Sequence, residues 1–328
     1  MEARTFIGAY GAAQLALRIN RNSNRRGMVG DKLLFGATLR GAGLPAPELR
    51  AVFGRPAPHA AEALSTIDDL RQLLRSQDCL PLFGKPLLGQ RAGGEIAVFG
   101  FDDRSDQILT VDGDQIPIVR FWERLERKHR SGGYLFQSFL RQHPSLVRMV
   151  GPIVATVRVI TLFDRKQALI HRSFWKVPLG EGYTDHPRAG HAAAIVDAET
   201  GIVGPVLADV IGDRHALTRH PMTGCDMFQP LLPHWEEVCE IAKQAAGLFP
   251  MVPLIGWDIA ICTDGPVIVE ANTSPSLDVP QYLSGQGALS GPHGETLVKL
   301  ARQSARVRRN ARREKRRRRL RLITGRLV

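Results

Sequence analysis

The 328-residue sequence has no run of about eighteen apolar residues, which excludes a membrane-spanning helix by the usual length criterion. It has only four cysteines, Cys79, Cys225, Cys239 and Cys262, and no Cys-x-x-Cys pair, so neither a disulfide scaffold nor a zinc site is expected. Such thiols are expected to be reduced, with the protein in the cytoplasm. His143, His171, His186 and His191 show no metal-ligand spacing. No internal repeat is present, and the stretch from Phe6 to Ile19 lacks a small-residue cleavage pattern, so it reads as a short helix rather than a secretory signal.

Acid is scarce in one place. Of the 44 Lys and Arg and 32 Asp and Glu, thirteen bases and one acid, Glu314, lie beyond Leu300, so the +12 net charge resides in the tail and the body is neutral. A density of this kind from Arg302 to Arg326 predicts weak, salt-steep contact with nucleic acid or an anionic membrane surface, or a solvated extension without a partner. Apolar content of 44% and charged content of 23% are those of an ordinary globular body.

The most informative stretch runs from Gly256 to Asn272, where two apolar, β-branched runs flank Thr263-Asp264-Gly265-Pro266. That pattern predicts a β-hairpin. With Thr263 to Gly265 as the loop, Cys262 pairs with Pro266, Ala260 with Ile268 and Asp258 with Glu270. Opposed side chains have Cβ atoms about 4.5–5.5 Å apart, and like charges there repel, so a positive group is expected between the two acids. Asn272 shares their face by strand alternation. Two carboxylates and an amide oxygen suit Mg²⁺ or Mn²⁺ better than zinc. The inference depends on register, because a one-residue slip turns Glu270 to the other face. An edge hairpin with both acids in water is the bland alternative.

Upstream, helices are expected from Asp31 to Gly41, after Ser65 or Thr66, from Arg120 to Arg130 and from Trp235 to Leu248. Strands are expected at 80–86, 95–101, 108–111, 116–119, 134–140, 153–162, 168–175 and 193–196, with loop from Pro275 to Gly294. Lys85 ends an apolar strand just ahead of a glycine-rich loop, Gly89-Gln90-Arg91-Ala92-Gly93-Gly94. A lysine there can reach phosphate oxygens while glycines let backbone N–H groups close over them, although a plain surface turn fits the same residues. Arg158 interrupts a strand pattern, where arginine binds a carboxylate or phosphate bidentately or forms a structural ion pair. Arg172 and Lys176 fall on one face of the next strand. Gln137, Ser138 and Leu140 form a strand between two blocks, either an adenine-binding edge or plain sheet pairing.

In order, Lys85, the Gly89 to Gly94 loop, the Gln137 to Leu140 strand, Arg158 and Asp258…Glu270-Ala271-Asn272 resemble the ATP-grasp superfamily. Gly256-Trp257-Asp258, Asp264-Gly265-Pro266, Gln142-His143-Pro144 and Thr156-Val157-Arg158 are most similar to its sugar-transfer-associated branch, related to the α-L-glutamate ligase-like proteins. The resemblance implies an α+β fold with two lobes clasping ATP. It also divides the chain into a helical leader (1–27), a small lobe with the flap (28–135), a large lobe with the metal hairpin (136–290) and the basic tail (291–328), disordered or solvated helix.

It further implies that Lys85 contacts the α- and β-phosphates under Gly89, Gly93 and Gly94, and that Gln137 with the backbone of Ser138 and Leu140 holds adenine. Asp258, Glu270 and Asn272 are implied as metal ligands. Arg158 is implied to steady the transferred phosphoryl group, with Arg172 and Lys176 as the candidates for binding a substrate carboxylate. The implied reaction is ATP- and Mg²⁺-dependent joining of a small-molecule carboxylate to an amine or thiol acceptor through an acyl phosphate. Cell-surface polysaccharide or peptide modification is the expected setting. Alternatives are a non-catalytic ATP-binding accessory protein and a binder acting through the Arg-rich tail. Thr273-Ser274-Pro275-Ser276 departs from the branch, where glycine often follows the proline.

Overall fold

The computed structural model describes residues 5–21, 26–58, 61–87, 94–180, 191–209 and 214–324. Among them, two seven-stranded sheets organise a mixed α+β fold. The first sheet contains β1 (Leu49–Phe53), β2 (Glu62–Leu64), β3 (Leu82–Pro86), β4 (Ile96–Asp102), β5 (Gln107–Thr110), β6 (Gln115–Pro117) and β7 (Tyr134–Ser138), in the order β2-β1-β7-β3-β4-β5-β6. The second contains β8 (Thr156–Phe163), β9 (Ala168–Pro178), β10 (His191–Val196), β11 (Leu207–Ala208), β12 (His215–Ala216), β13 (Leu254–Cys262) and β14 (Gly265–Asn272), in the order β12-β11-β10-β9-β8-β13-β14. Apart from the parallel β1–β2 pair, the strand pairings in both sheets are antiparallel.

The helices α1 (Ala9–Asn20), α2 (Arg26–Gly30) and α3 (Lys32–Gly41) precede the first sheet in sequence but pack mainly on the second, with Leu33 of α3 reaching back to Leu49, Val52 and Leu135 of the first. Asp31 caps α3 by accepting from the Leu33 and Leu34 N–H groups, at 3.0 and 3.1 Å. Phe35 on α3 then stacks against Trp257 and Phe249, with ring centroids 6.3 and 6.0 Å away. This aromatic cluster holds the helix start against β13. The Asn20 amide donates to the Leu254 and Thr273 carbonyls, both at 2.7 Å, which ties the end of α1 to both strands of the hairpin.

The first sheet is covered by α4 (Ile67–Arg75) and α5 (Ile118–His129), whose Leu70, Leu73, Leu74, Phe121 and Leu125 meet Tyr134 and Phe136. A reciprocal cap starts α4: Thr66 Oγ1 accepts from Asp69 N–H, and the Asp69 carboxylate accepts from Thr66 N–H. Beyond the short α6 (Pro144–Val150), α7 (Trp235–Leu248) lies against one face of the second sheet. The other face meets α1, α8 (Val279–Ser284) and the first turns of α9 (Gly291–Thr324), where Leu297, Leu300 and Ala301 are buried.

Several expectations are corrected. The strand expected to reach Val119 stops at Pro117, because Ile118 already turns inward as the first residue of α5. The loop expected from Pro275 to Gly294 contains α8, whose Pro280 occupies a first-turn position that needs no N–H. Of the two readings of the tail, disordered or helical, the helical one is found through Thr324. The limit between residues 135 and 136 divides β7, a single strand of the first sheet. Val29, Phe35, Leu39 and Leu44 share a core with the second sheet, while Leu33 and Lys32 meet the first, so 28–46 bridges the two sheets rather than belonging to the small lobe alone. No helix among the described residues is long and apolar enough to cross a membrane.

Candidate functional site

The hairpin forms, in a register that differs from the expected one along half its length. Cys262 pairs with Gly265 around a two-residue turn, and Ile259 with Ile268. Gly265 adopts φ +116°, a conformation that favours glycine. A β-bulge at Val269 then shifts the register by one, so that Asp258 pairs with Glu270 and Gly256 with Asn272. The acids come face to face because the tighter turn and the bulge cancel.

Positive charge is supplied by the protein at Asp258 itself. Arg158, opposite Asp258 on β8, donates from Nε to Oδ1 at 2.7 Å and from Nη2 to Oδ2 at 2.5 Å. Lys176 Nζ lies 3.2 Å from Oδ2, and Asn272 Nδ2 donates to the same oxygen at 3.3 Å. Gly256 makes room for this pairing: a Cβ there would sit 2.8 Å from Pro275 Cβ and 3.3 Å from Arg158 Cδ. Asp258 is only 4% exposed. Burial alone would raise its carboxyl, but the Arg158 and Lys176 charges outweigh that and hold it down at about 2.

Beside this group, Lys32, Lys85, Gln137, Glu270 and Asn272 line a cavity of about 450 Å³, walled by Phe35, Ala46 and Pro47. Burial pushes the Lys85 ammonium down to about 8, against the attraction of Glu270 and with the repulsion of Lys32. Lys32 is lowered by burial too, opposed by Glu270 and Glu95. Its Nζ donates to the Pro86 and Leu87 carbonyls at 3.1 and 3.3 Å, which fixes it at the end of β3. Two partly desolvated ammonium groups in one cavity attract a polyanion more strongly than two in water. Sequence reasoning missed Lys32, since its place beside Lys85 follows from the docking of α3 through Phe35.

The remaining sequence candidates disperse. Gly89 and Gly93 lie outside the described residues. Gly94, at φ +102°, is tied by its carbonyl to Tyr134 Oη at 2.7 Å. Ser138 and Leu140 lie outside the cavity lining, and the Ser138 N–H is already donated to the Glu48 carbonyl, which removes it as an adenine donor. Arg172 shares a face with Lys176 but turns away to Gln286 Oε1 and Ser290 Oγ, at 3.2 and 3.4 Å.

The donor set fits a hard divalent cation in kind: two carboxylates and an amide oxygen carried by one hairpin. In arrangement, Glu270 and Asn272 open on the cavity, whereas the Asp258 oxygens are already engaged by two cations. Among the described residues no group of three His, Cys, Asp or Glu is poised around a common point.

The profile of the sugar-transfer associated ATP-grasp family matches residues 11–291. The fold is similar to the D-alanine–D-alanine ligase from Bacillus anthracis, with TM-score 0.48 and 14% identity over 87% of this chain and 70% of that one. It is similar to the corresponding ligase from Coxiella burnetii at TM-score 0.44 and 14% identity, over 89% and 62% of the two chains. Against N5-carboxyaminoimidazole ribonucleotide synthetase from Thermotoga maritima the TM-score is 0.36, with 12% identity over 75% and 42%. No curated protein matches it in sequence.

Proposed function

The chain belongs to the sugar-transfer associated ATP-grasp family, and from that premise we propose that it joins a carboxylate to an amine or thiol at the expense of ATP. The observation that carries this reading is the pair of lysines, buried Lys85 and half-buried Lys32, facing Glu270 and Asn272 across one cavity, with the Arg158–Asp258–Lys176 group joined to it through Asn272. Phosphoryl transfer needs positioning and charge neutralisation more than a nucleophilic side chain. Lys85 and Lys32 bind nucleotide phosphates, Gln137 orients the base end, and the Gly89–Gly94 loop covers them. Glu270 and Asn272 would hold Mg²⁺ or Mn²⁺, with Asp258 joining them. A bound metal supplies charge neutralisation between the transferring phosphates. Arg158 and Lys176 stabilise negative charge on the activated carboxylate, which in this reading is an acyl phosphate. Modification of a cell-surface polysaccharide or peptide is the proposed setting.

The test is ADP release from the purified protein in the presence of Mg²⁺, a panel of carboxylates and an amine. ADP release that requires both substrates and falls roughly a hundredfold or more in Glu270→Gln supports the reading. Normal turnover in Asp258→Ala sinks it. The saturation of Asp258 by Arg158 and Lys176 favours a second reading, a nucleotide-binding protein without turnover. Tight ATP binding with no ADP release across that panel selects it.

We also propose lobe limits of 48–138 for the smaller unit, with the flanking segments forming the larger one, since each then has its own core. The bases from Arg302 to Arg321 lie on a single helix, and their density is the ground for proposing weak electrostatic contact with RNA or anionic lipid. Removing residues after Ala305 keeps the Ser304 contact to the Arg18 carbonyl and tests that contact alone.

A further inference from the structure

Away from the cavity just described, a second one of about 570 Å³ opens where α9 begins, lined by Thr5, Phe6, Arg172, Gln286, Ser290 and His293 among others. Its polar content is unusual. Arg172 is half-buried and has no carboxylate within ion-pair distance among the described residues; its guanidinium meets only the His171 carbonyl, Gln286 Oε1 and Ser290 Oγ. A β-bulge between Ile160 and Thr161 inserts His171 into β9 beside it. His171 is 2% exposed, and neither ring nitrogen has a partner. Its ring lies 6.5 Å from that of His293, which lines the cavity. Glu295 is the one acid in the lining and stands exposed at the rim.

The walls are built rather than incidental. The Leu289 N–H donates to the Thr5 carbonyl at 3.0 Å, and Gln281 holds Ile7 through both its amide atoms. Gly287 lets Thr5 approach the loop, since a Cβ there would collide with the Thr5 backbone. A desolvated guanidinium with unused N–H groups is stabilised when an oxyanion enters, because charge-assisted bonds replace lost hydration. The first-turn N–H groups of α9 add a favourable field at the same opening.

We propose that this cavity is a second binding site, for a small oxyanion carrying a phosphate or carboxylate group, recognised by Arg172 with His293, and with His171 packed behind His293. Arg172 then serves binding here rather than the reaction at Asp258.

The experiment is calorimetric titration of the full-length protein at constant ionic strength with inorganic phosphate, and separately with succinate, each with and without saturating ATP. Binding of either probe that persists with ATP present, stays within twofold in Lys85→Met and weakens at least tenfold in Arg172→Gln is the expected result; the probe that binds more tightly names the group. Gln286→Glu, at an exposed position, places a carboxylate on Arg172 and is expected to abolish binding while raising the melting temperature, which separates occlusion from misfolding. Binding that is displaced by ATP or lost in Lys85→Met, or that survives both Arg172→Gln and Gln286→Glu, overturns the proposal, as does the absence of binding by both probes.

Discussion

The two ends of the Arg172–Lys176 stretch of β9 carry cations on the same face, four residues apart and so roughly 13 Å along the strand. Lys176 ends beside Asp258, which Arg158 also grips. Arg172 ends among neutral groups. One end is internally compensated and the other is not. A buried cation with a carboxylate is part of the fold, and its removal leaves charge stranded. A half-buried cation without one is held by its surroundings at a cost that an incoming anion can offset.

The sharpest way to break this comparison is to remove the shared carboxylate. Asp258→Ala takes away the carboxylate that Arg158 and Lys176 share, at side chains only 13% and 15% exposed. The expected loss is about 3–5 kcal/mol, read from urea denaturation. Arg172→Gln removes a cation that stabilises no acid and is expected to cost less than about 1 kcal/mol. Equal losses from the two substitutions would erase the distinction.

Lys85 extends the comparison to pH. Its folded-state value of about 8 lies below the ordinary 10.5, so the unfolded chain holds the proton more tightly. The resulting destabilisation is complete below pH 8 and disappears as pH rises to about 10.5, with a total of roughly 3 kcal/mol. Lys85→Met is therefore expected to be more stable than the parent at pH 7, with the gap closing by pH 10.5. Urea midpoints of the two proteins across that range provide the check. Phosphate affinity should move the opposite way, falling above pH 8 as the charge is lost.

How far the sequence reaches is clearest at the hairpin. Alternation and turn residues were enough to place Asp258 opposite Glu270, yet the route there involved a tighter turn and a bulge at Val269 that composition does not mark. Helix starts with a capping residue, such as Asp31 and Thr66, are legible because the cap is local. The fate of Arg172 is not, since its partners Gln286 and Ser290 lie more than a hundred residues away. Lys32 escapes for the same reason, being delivered to Lys85 by an aromatic stack across the chain. The placement of α3, early in sequence but packed on the second sheet through Phe35 and Leu39, is likewise not marked by local composition. Local chemistry is written in neighbouring residues, whereas long-range placement is set by packing between distant ones.

A milder perturbation of the compensated site concerns how Arg158 is aimed. Gly256 has ordinary strand geometry, so alanine there meets no backbone penalty, and its effect is purely one of space. The added Cβ comes within 2.8 Å of Pro275 Cβ and 3.3 Å of Arg158 Cδ. Pro275 is rigid and Arg158 is flexible, so both must shift, and overpacking of this size costs about 1–3 kcal/mol. Arg158 should lose its two-pronged grip on Asp258 before the hairpin loses its pairing. Gly256→Ala is thus expected to lower stability less than Asp258→Ala, yet to weaken the compensation at this end of β9 selectively. A double-mutant cycle of Gly256→Ala with Arg158→Met measures it: a coupling near zero would mean that the glycine acts on Pro275 alone.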